Sequence, residues 1–168
     1  MRTLREQLSQ YALYHRDQRN ILTHFAGIPL IVISVFGMLS FPLFGSAISA
    51  AILLLVLSCL YYLLLDVKFG VLMLLFSGSC FAVSQQLVQL FAQQWLWGSV
   101  AVFLVGWVLQ FIGHYYEGKK PAFVDDLMGL LIGPLFIVAE WVFIAGFATE
   151  LKQQIEADAG PVRQRKAG

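Results

Sequence analysis

Three histidines, His15, His24 and His114, make up the whole imidazole inventory of this 168-residue chain. The third is followed at i+3 by Glu117 in the run "GHYYEG". Neutral imidazole is a ligand for iron, zinc or copper, and oxygen-activating iron sites combine histidines with a carboxylate while leaving coordination positions open. His114 and Glu117 share a face if their segment is helical. His15 and His24 do not, because nine residues at about 100° each place them on opposite faces of an uninterrupted helix. A metal common to both therefore requires a bend between them. Taken singly, each histidine reads equally well as a residue at a membrane edge.

Other polar residues stand where they could support such a site. Asn20 precedes His24 by four residues, the spacing for a hydrogen bond that orients a ligand, and its plainer role is a helix cap. Glu140 lies inside the apolar run "GPLFIVAEW", where a carboxylate is costly unless paired, protonated or beside water. Asp66, in "LLLDVKFG", is a weaker candidate partner and reads most simply as interfacial. In "GHYYEGKKPAF", Gly118 can end the helix bearing His114 and Glu117, and Pro121 can begin the next segment. Lys119 and Lys120 read as ordinary loop charges, with attraction of a carboxylate or an anionic lipid headgroup as the sharper alternative.

The elements that must position these residues are apolar. At 59% hydrophobic and 12% charged, with a mean hydropathy of +0.75, the chain matches a membrane solvent better than water. Apolar runs near residues 26–45, 47–65, 69–90, 95–112 and 127–147 are each about long enough to span a bilayer as a helix. The expected fold is an all-α, polytopic integral membrane helical bundle with four to five transmembrane helices. An N-terminal interfacial helix over residues 4–14 carries Leu4, Leu8 and Tyr11 at helical spacing. Residues 1–150 read as one membrane-embedded domain and residues 151–168 as a polar tail.

With His24 at the entrance to the first span, four crossings bring His114 back to the same side. Arg2, Arg5, Arg16, Arg19, Lys68, Lys119 and Lys120 gather there too, which points to the cytoplasmic face. A fifth crossing would carry Lys152, Arg163, Arg165 and Lys166 to the other side, whereas a kink near Gly133 and Pro134 would keep the tail with the histidines. A net charge of +1 gives no nucleic-acid footprint. Cys59 and Cys80 lie in apolar runs and read as small hydrophobes, and no removable signal peptide is expected.

The ordered blocks "YHRDQRNILTHFAGIPL", "LLLDVKFG", "QFIGHYYEGKKPAFVDDL" and "GPLFIVAEW" resemble the yeast-type 2-hydroxy fatty acid dioxygenases, membrane proteins of fatty acid α-oxidation. The resemblance implies an iron(II)-dependent dioxygenase that uses molecular oxygen to shorten a 2-hydroxy fatty acid by one carbon among membrane lipid. It maps the iron ligands onto His15, His24 and His114, with Glu117 as a ligand or orienting group and Asn20 as an orienting group. It places the protein in the inner membrane if bacterial, or in the endoplasmic reticulum if eukaryotic. The alternative from another class is a non-enzymatic transporter or metal-binding membrane protein, favoured by Gly133, Pro134 and Glu140 within one apolar run. Oligomeric state has no signature in the sequence.

Overall fold

The computed structural model describes residues 2–43, 45 and 48–163. Ala47, Arg165 and Lys166, which carry part of the reading above, lie outside the described residues. The described chain is all-α, without a β-strand: α1 (Leu4–Ala12), α2 (Gln18–Met38), α3 (Ala50–Leu65), α4 (Val67–Phe91), α5 (Trp95–Glu117), α6 (Gly129–Ile144) and α7 (Thr149–Ala159). Short 3-10 turns at Ala92–Gln94 and Ala122–Val124 join α4 to α5 and precede α6.

These elements fall into two compact units, one of Met1–Ala26 with Leu109–Gly168 and one of Gly27–Val108. In the second unit α3 and α4 form a tight hairpin around Asp66, whose carboxylate caps α4 by accepting the Phe69 N–H at 2.9 Å. Gly70 is needed there, since a Cβ would stand 2.6 Å from the Leu63 Cα. A small core joins Phe36, Ala51 and Cys80, with the Phe81 ring edge-on to Phe36. Leu53, Leu57, Leu60 and Leu64 on α3 and Leu75 on α4 are exposed, while Ser77, Ser84 and Ser99 are buried. Apolar side chains outside and small polar ones inside suit a lipid environment.

The first unit is built the other way round. α1 starts in a capping box between Thr3 and Glu6 and packs its Leu8, Tyr11 and Ala12 face against α6 and α7. This corrects the expected interfacial helix, because its apolar stripe is covered by protein. α6 carries Leu135, Phe136, Ile137, Val138 and Ala139 in sequence, all buried, as a helix apolar all round must be when it forms a core.

Two helical stretches, Gln18–Met38 and Val67–Glu117, are long and apolar enough to cross a membrane, fewer than the four to five expected. α3, at 16 residues, spans about 24 Å, short of a hydrocarbon core of about 30 Å. The runs at 69–90 and 95–112 belong to one 51-residue helical stretch interrupted by a 3-10 turn, where Ala92 takes a φ of +47°. The run at 127–147 is α6, which bends by 120° into α7 and makes a third span only if the pair is counted together. Arg5 on α1 grips Asp158 on α7 through two hydrogen bonds, so the tail helix lies with the N-terminus.

Candidate metal centre

Residues 13–17 are the bend that the nine-residue spacing demanded. α1 ends at Ala12, α2 begins at Gln18, and His15 sits on the irregular link between them. α2 starts well before the apolar run, so His24 lies on its second turn rather than ahead of the helix. His114 comes from the last turns of α5, which closes on α2 at Gly113. A Cβ on Gly113 would collide with Thr23 Oγ1 and Asn20 Oδ1 and stand 3.1 Å from His24 Nδ1. Gly118, at φ +70°, ends that helix just beyond Glu117.

The three histidines, all buried, offer nitrogen atoms that lie within 4.8 Å of one another. His15 Nδ1–H donates to the Tyr11 carbonyl at 2.9 Å, and His24 Nδ1–H donates to the Asn20 carbonyl at 2.8 Å. A carbonyl can only accept, so both Nδ1 atoms carry hydrogen and both neutral rings present Nε2 lone pairs. Those two Nε2 atoms face each other at 3.1 Å. Two lone pairs at that distance repel unless a proton or a cation lies between them. His114 Nδ1 is buried without a hydrogen-bond partner. Burial, with the neighbouring His24 second, holds the His15 imidazole well below its ordinary pKa, in the neutral form that binds metal. Three clustered imidazoles, two of them with their outer N–H groups fixed by carbonyls, are a donor set that fits a divalent transition metal.

The surrounding side chains hold this set in place. Tyr11 stacks on His15 with ring centroids 4.1 Å apart and 3° between planes, and Phe136 covers the same ring at 5.5 Å. Glu117 is not one of the clustered ligands. Its Oε2 accepts from the Arg16 N–H, the Asp17 N–H and the Asn20 amide, and its Oε1 from the Arg163 guanidinium at 2.7 Å. Asn20 serves His24 through its backbone carbonyl, while its side chain ties Tyr14 to Glu117. Glu140 pairs with the buried Arg16 at 3.7 Å. Asp66 belongs to the other unit and caps α4. Lys119 donates to the Leu13 carbonyl, and Lys120 pairs with Asp125, which also accepts from Tyr14.

Sequence reasoning missed Tyr11, Arg16, Gly113, Phe136 and Arg163. Tyr11 carried a usable signal, being four residues before His15, and Gly113 adjoins His114. Arg163 carried none, since the tail reads as polar chain.

Fold and site together define a membrane-compatible helical protein with a buried three-histidine centre capable of holding a metal. Residues 1–144 match the family model described as "2-hydroxy-palmitic acid dioxygenase Mpo1-like", and the chain belongs to this Mpo1-like family. It is 36% identical over 166 residues to the 2-hydroxy-palmitic acid dioxygenase MPO1 of Saccharomyces cerevisiae, covering 96% of this chain and 92% of the yeast protein. No solved structure matches it.

Proposed function

We propose that the protein is an iron(II)-dependent 2-hydroxy fatty acid dioxygenase, converting its substrate to a fatty acid one carbon shorter, with His15, His24 and His114 holding the metal. The observation that carries the metal reading is the pair of facing Nε2 lone pairs at 3.1 Å, whose opposite nitrogens are committed to carbonyls. The substrate class follows from family membership and from the yeast relative's name. Iron, when bound, supplies activation of molecular oxygen and a Lewis-acidic point for the substrate's hydroxyl and carboxylate.

The chain's own residues supply position and dryness. The Tyr11 and Asn20 carbonyls fix the rotation and tautomer of two ligands. Tyr11 and Phe136 wall off His15 from water. Glu117 pins the backbone of residues 16 and 17, so that the ligand loop is held before substrate arrives. The substrate's hydrocarbon chain lies among apolar helices in the membrane.

The histidine side faces the cytoplasm. Among the described residues, eight of the nine Lys and Arg belong to the unit that holds the histidines, Lys68 being the exception, and the Arg5–Asp158 pair keeps the tail helix with them. The Gly133, Pro134 and Glu140 run that favoured a translocation path lies in the buried α6 core, and its carboxylate is paired with Arg16.

Purified protein loaded anaerobically with Fe(II), then given oxygen and a series of 2-hydroxy fatty acids, should release acids one carbon shorter by mass analysis. Absence of a shortened product at every chain length would overturn the activity.

A further inference from the structure

The family match stops at residue 144, yet the chain continues through α7 and returns to the His15 loop. Gly160 ends α7 with a φ of +85°, a conformation that favours glycine, and a Cβ there would meet nothing within 4 Å. Its conformation, rather than tight packing, accounts for its residue type. Beyond it the chain runs beside residues 16–18 as an isolated parallel bridge between Asp17 and Arg163.

Two backbone hydrogen bonds form the bridge, and five more involving side chains surround it. The Arg163 N–H donates to the Arg16 carbonyl at 2.7 Å, and the Gln18 N–H donates to the Arg163 carbonyl at 3.3 Å. The Arg163 guanidinium donates to Glu117 Oε1 at 2.7 Å, while Oε2 of that carboxylate receives the Arg16 and Asp17 N–H groups. From the other direction, Arg16 Nε donates to the carbonyl of His15 itself and Nη1 to the carbonyl of Gly160. An irregular loop with no helical or sheet ladder of its own thus has its polar backbone satisfied by one buried carboxylate and one returning strand.

We propose that the segment Gly160–Arg163 is a clasp that positions His15, with Arg163 as its positioning residue and Glu117 as the anchor beneath it. The proposal rests on the metal reading above for its effect on ligand affinity, but its structural part stands on the hydrogen bonds alone. Arg163 lies outside the three-histidine cluster. Its guanidinium is charge-assisted on a fully buried carboxylate, the stronger kind of hydrogen bond. Loss of a group that orients a ligand typically lowers metal affinity about 10- to 100-fold.

Three full-length variants separate the parts. Arg163→Ala removes the side chain, and Arg163→Pro removes the side chain and the N–H to Arg16; Arg163→Lys restores a cation. Hydrogen exchange of the amides of residues 16–18 and Co(II) titration followed by its visible bands are measured on each in the same detergent. The expected result is faster exchange at residues 16–18 in Arg163→Ala, faster still in Arg163→Pro, and partial rescue by Arg163→Lys. Co(II) affinity should fall about 10-fold or more, with altered bands, while α3 and α4 amides keep their protection. Unchanged exchange at residues 16–18 in Arg163→Pro would overturn the clasp. Altered exchange with unchanged Co(II) affinity and bands would overturn its role toward His15. Failure of the unaltered protein to bind metal would instead sink the metal reading, leaving exchange to decide the clasp.

Discussion

The two units use the same helical backbone with opposite distributions of polarity. Among the described residues, every Lys, Arg, Asp and Glu belongs to the histidine-bearing unit except Asp66 and Lys68. That unit buries His15, Arg16, Asn20, His24, His114, Glu117 and Glu140, each at 9% exposure or less. The other exposes leucine along α3 and hides serine and small residues. Burying ionisable groups is costly unless each is paired or hydrogen-bonded, and here Arg16 is paired with Glu140 while Glu117 accepts from neighbouring amides and Arg163. Exposing leucine costs nothing in lipid. One unit carries the candidate site, and the other has an exposed leucine surface suited to lipid.

Substitutions can break this contrast in order of size. His24→Ala should abolish metal binding and lower turnover by at least about 100-fold, while the protein still accumulates in membranes through the untouched leucine surface. Metal analysis and a turnover assay on membrane-extracted protein check it; normal turnover of the iron-loaded variant would remove His24 from the ligand set. Glu117→Ala should follow. It leaves the Arg16 and Asp17 amides and the Arg163 guanidinium without their acceptor, at a cost of about 1–3 kcal/mol for each buried donor left unpaired. Thermal unfolding in detergent should show the loss, together with weakened metal binding.

A pair of glycines sharpens the comparison. Gly113→Ala drives a methyl into Thr23 and Asn20 beside His24 and should destabilise by about 1–3 kcal/mol while loosening the metal. Gly78→Ala, in α4, meets nothing within 4 Å and should be neutral or stabilising by up to about 1 kcal/mol through helix propensity. Equal effects in a thermal scan would erase the distinction between a tightly engaged and a lipid-like surface. The smallest effect is electrostatic. Hydrogen bonds from Arg5 and then Ser9 hold the Asp158 carboxylate below its ordinary pKa. A depressed folded pKa contributes stability above the unfolded value, near 3.9, which is lost as pH falls through the folded one. Protection of α7 amides should therefore be flat from pH 7 to about 5 and decline below about 4, and Asp158→Asn should flatten that decline.

Much of the candidate site was legible because histidine is scarce in this chain and the helical angle between His15 and His24 forbids a straight segment if both are to reach one metal. The bend at residues 13–17, the helix end at Gly118 and the hairpin at Asp66 follow from local rules. The number of spans did not, because α6 is as apolar as a lipid-facing helix. It packs instead against α1, a tertiary fact that hydropathy does not hold. Glu117 was visible as a partner of His114 by spacing. The structure instead gives its oxygens to backbone amides and to Arg163, an acceptor role that residue type alone does not distinguish from ligation. The Arg163 contact joins residues 46 apart and left no periodic trace.

The chain order of the histidines has a consequence for how the centre is assembled during synthesis. His15 and His24 emerge early, and His114 follows only after the whole leucine-faced unit, Gly27–Val108, has been made. A metal held by all three closes a loop of about 90 residues, the kind of long closure whose entropy a cross-link recovers most fully. With the metal role proposed above, capture by all three would be a late event that registers completion of the intervening helices, and a chain arrested before His114 carries at most two of the three imidazoles.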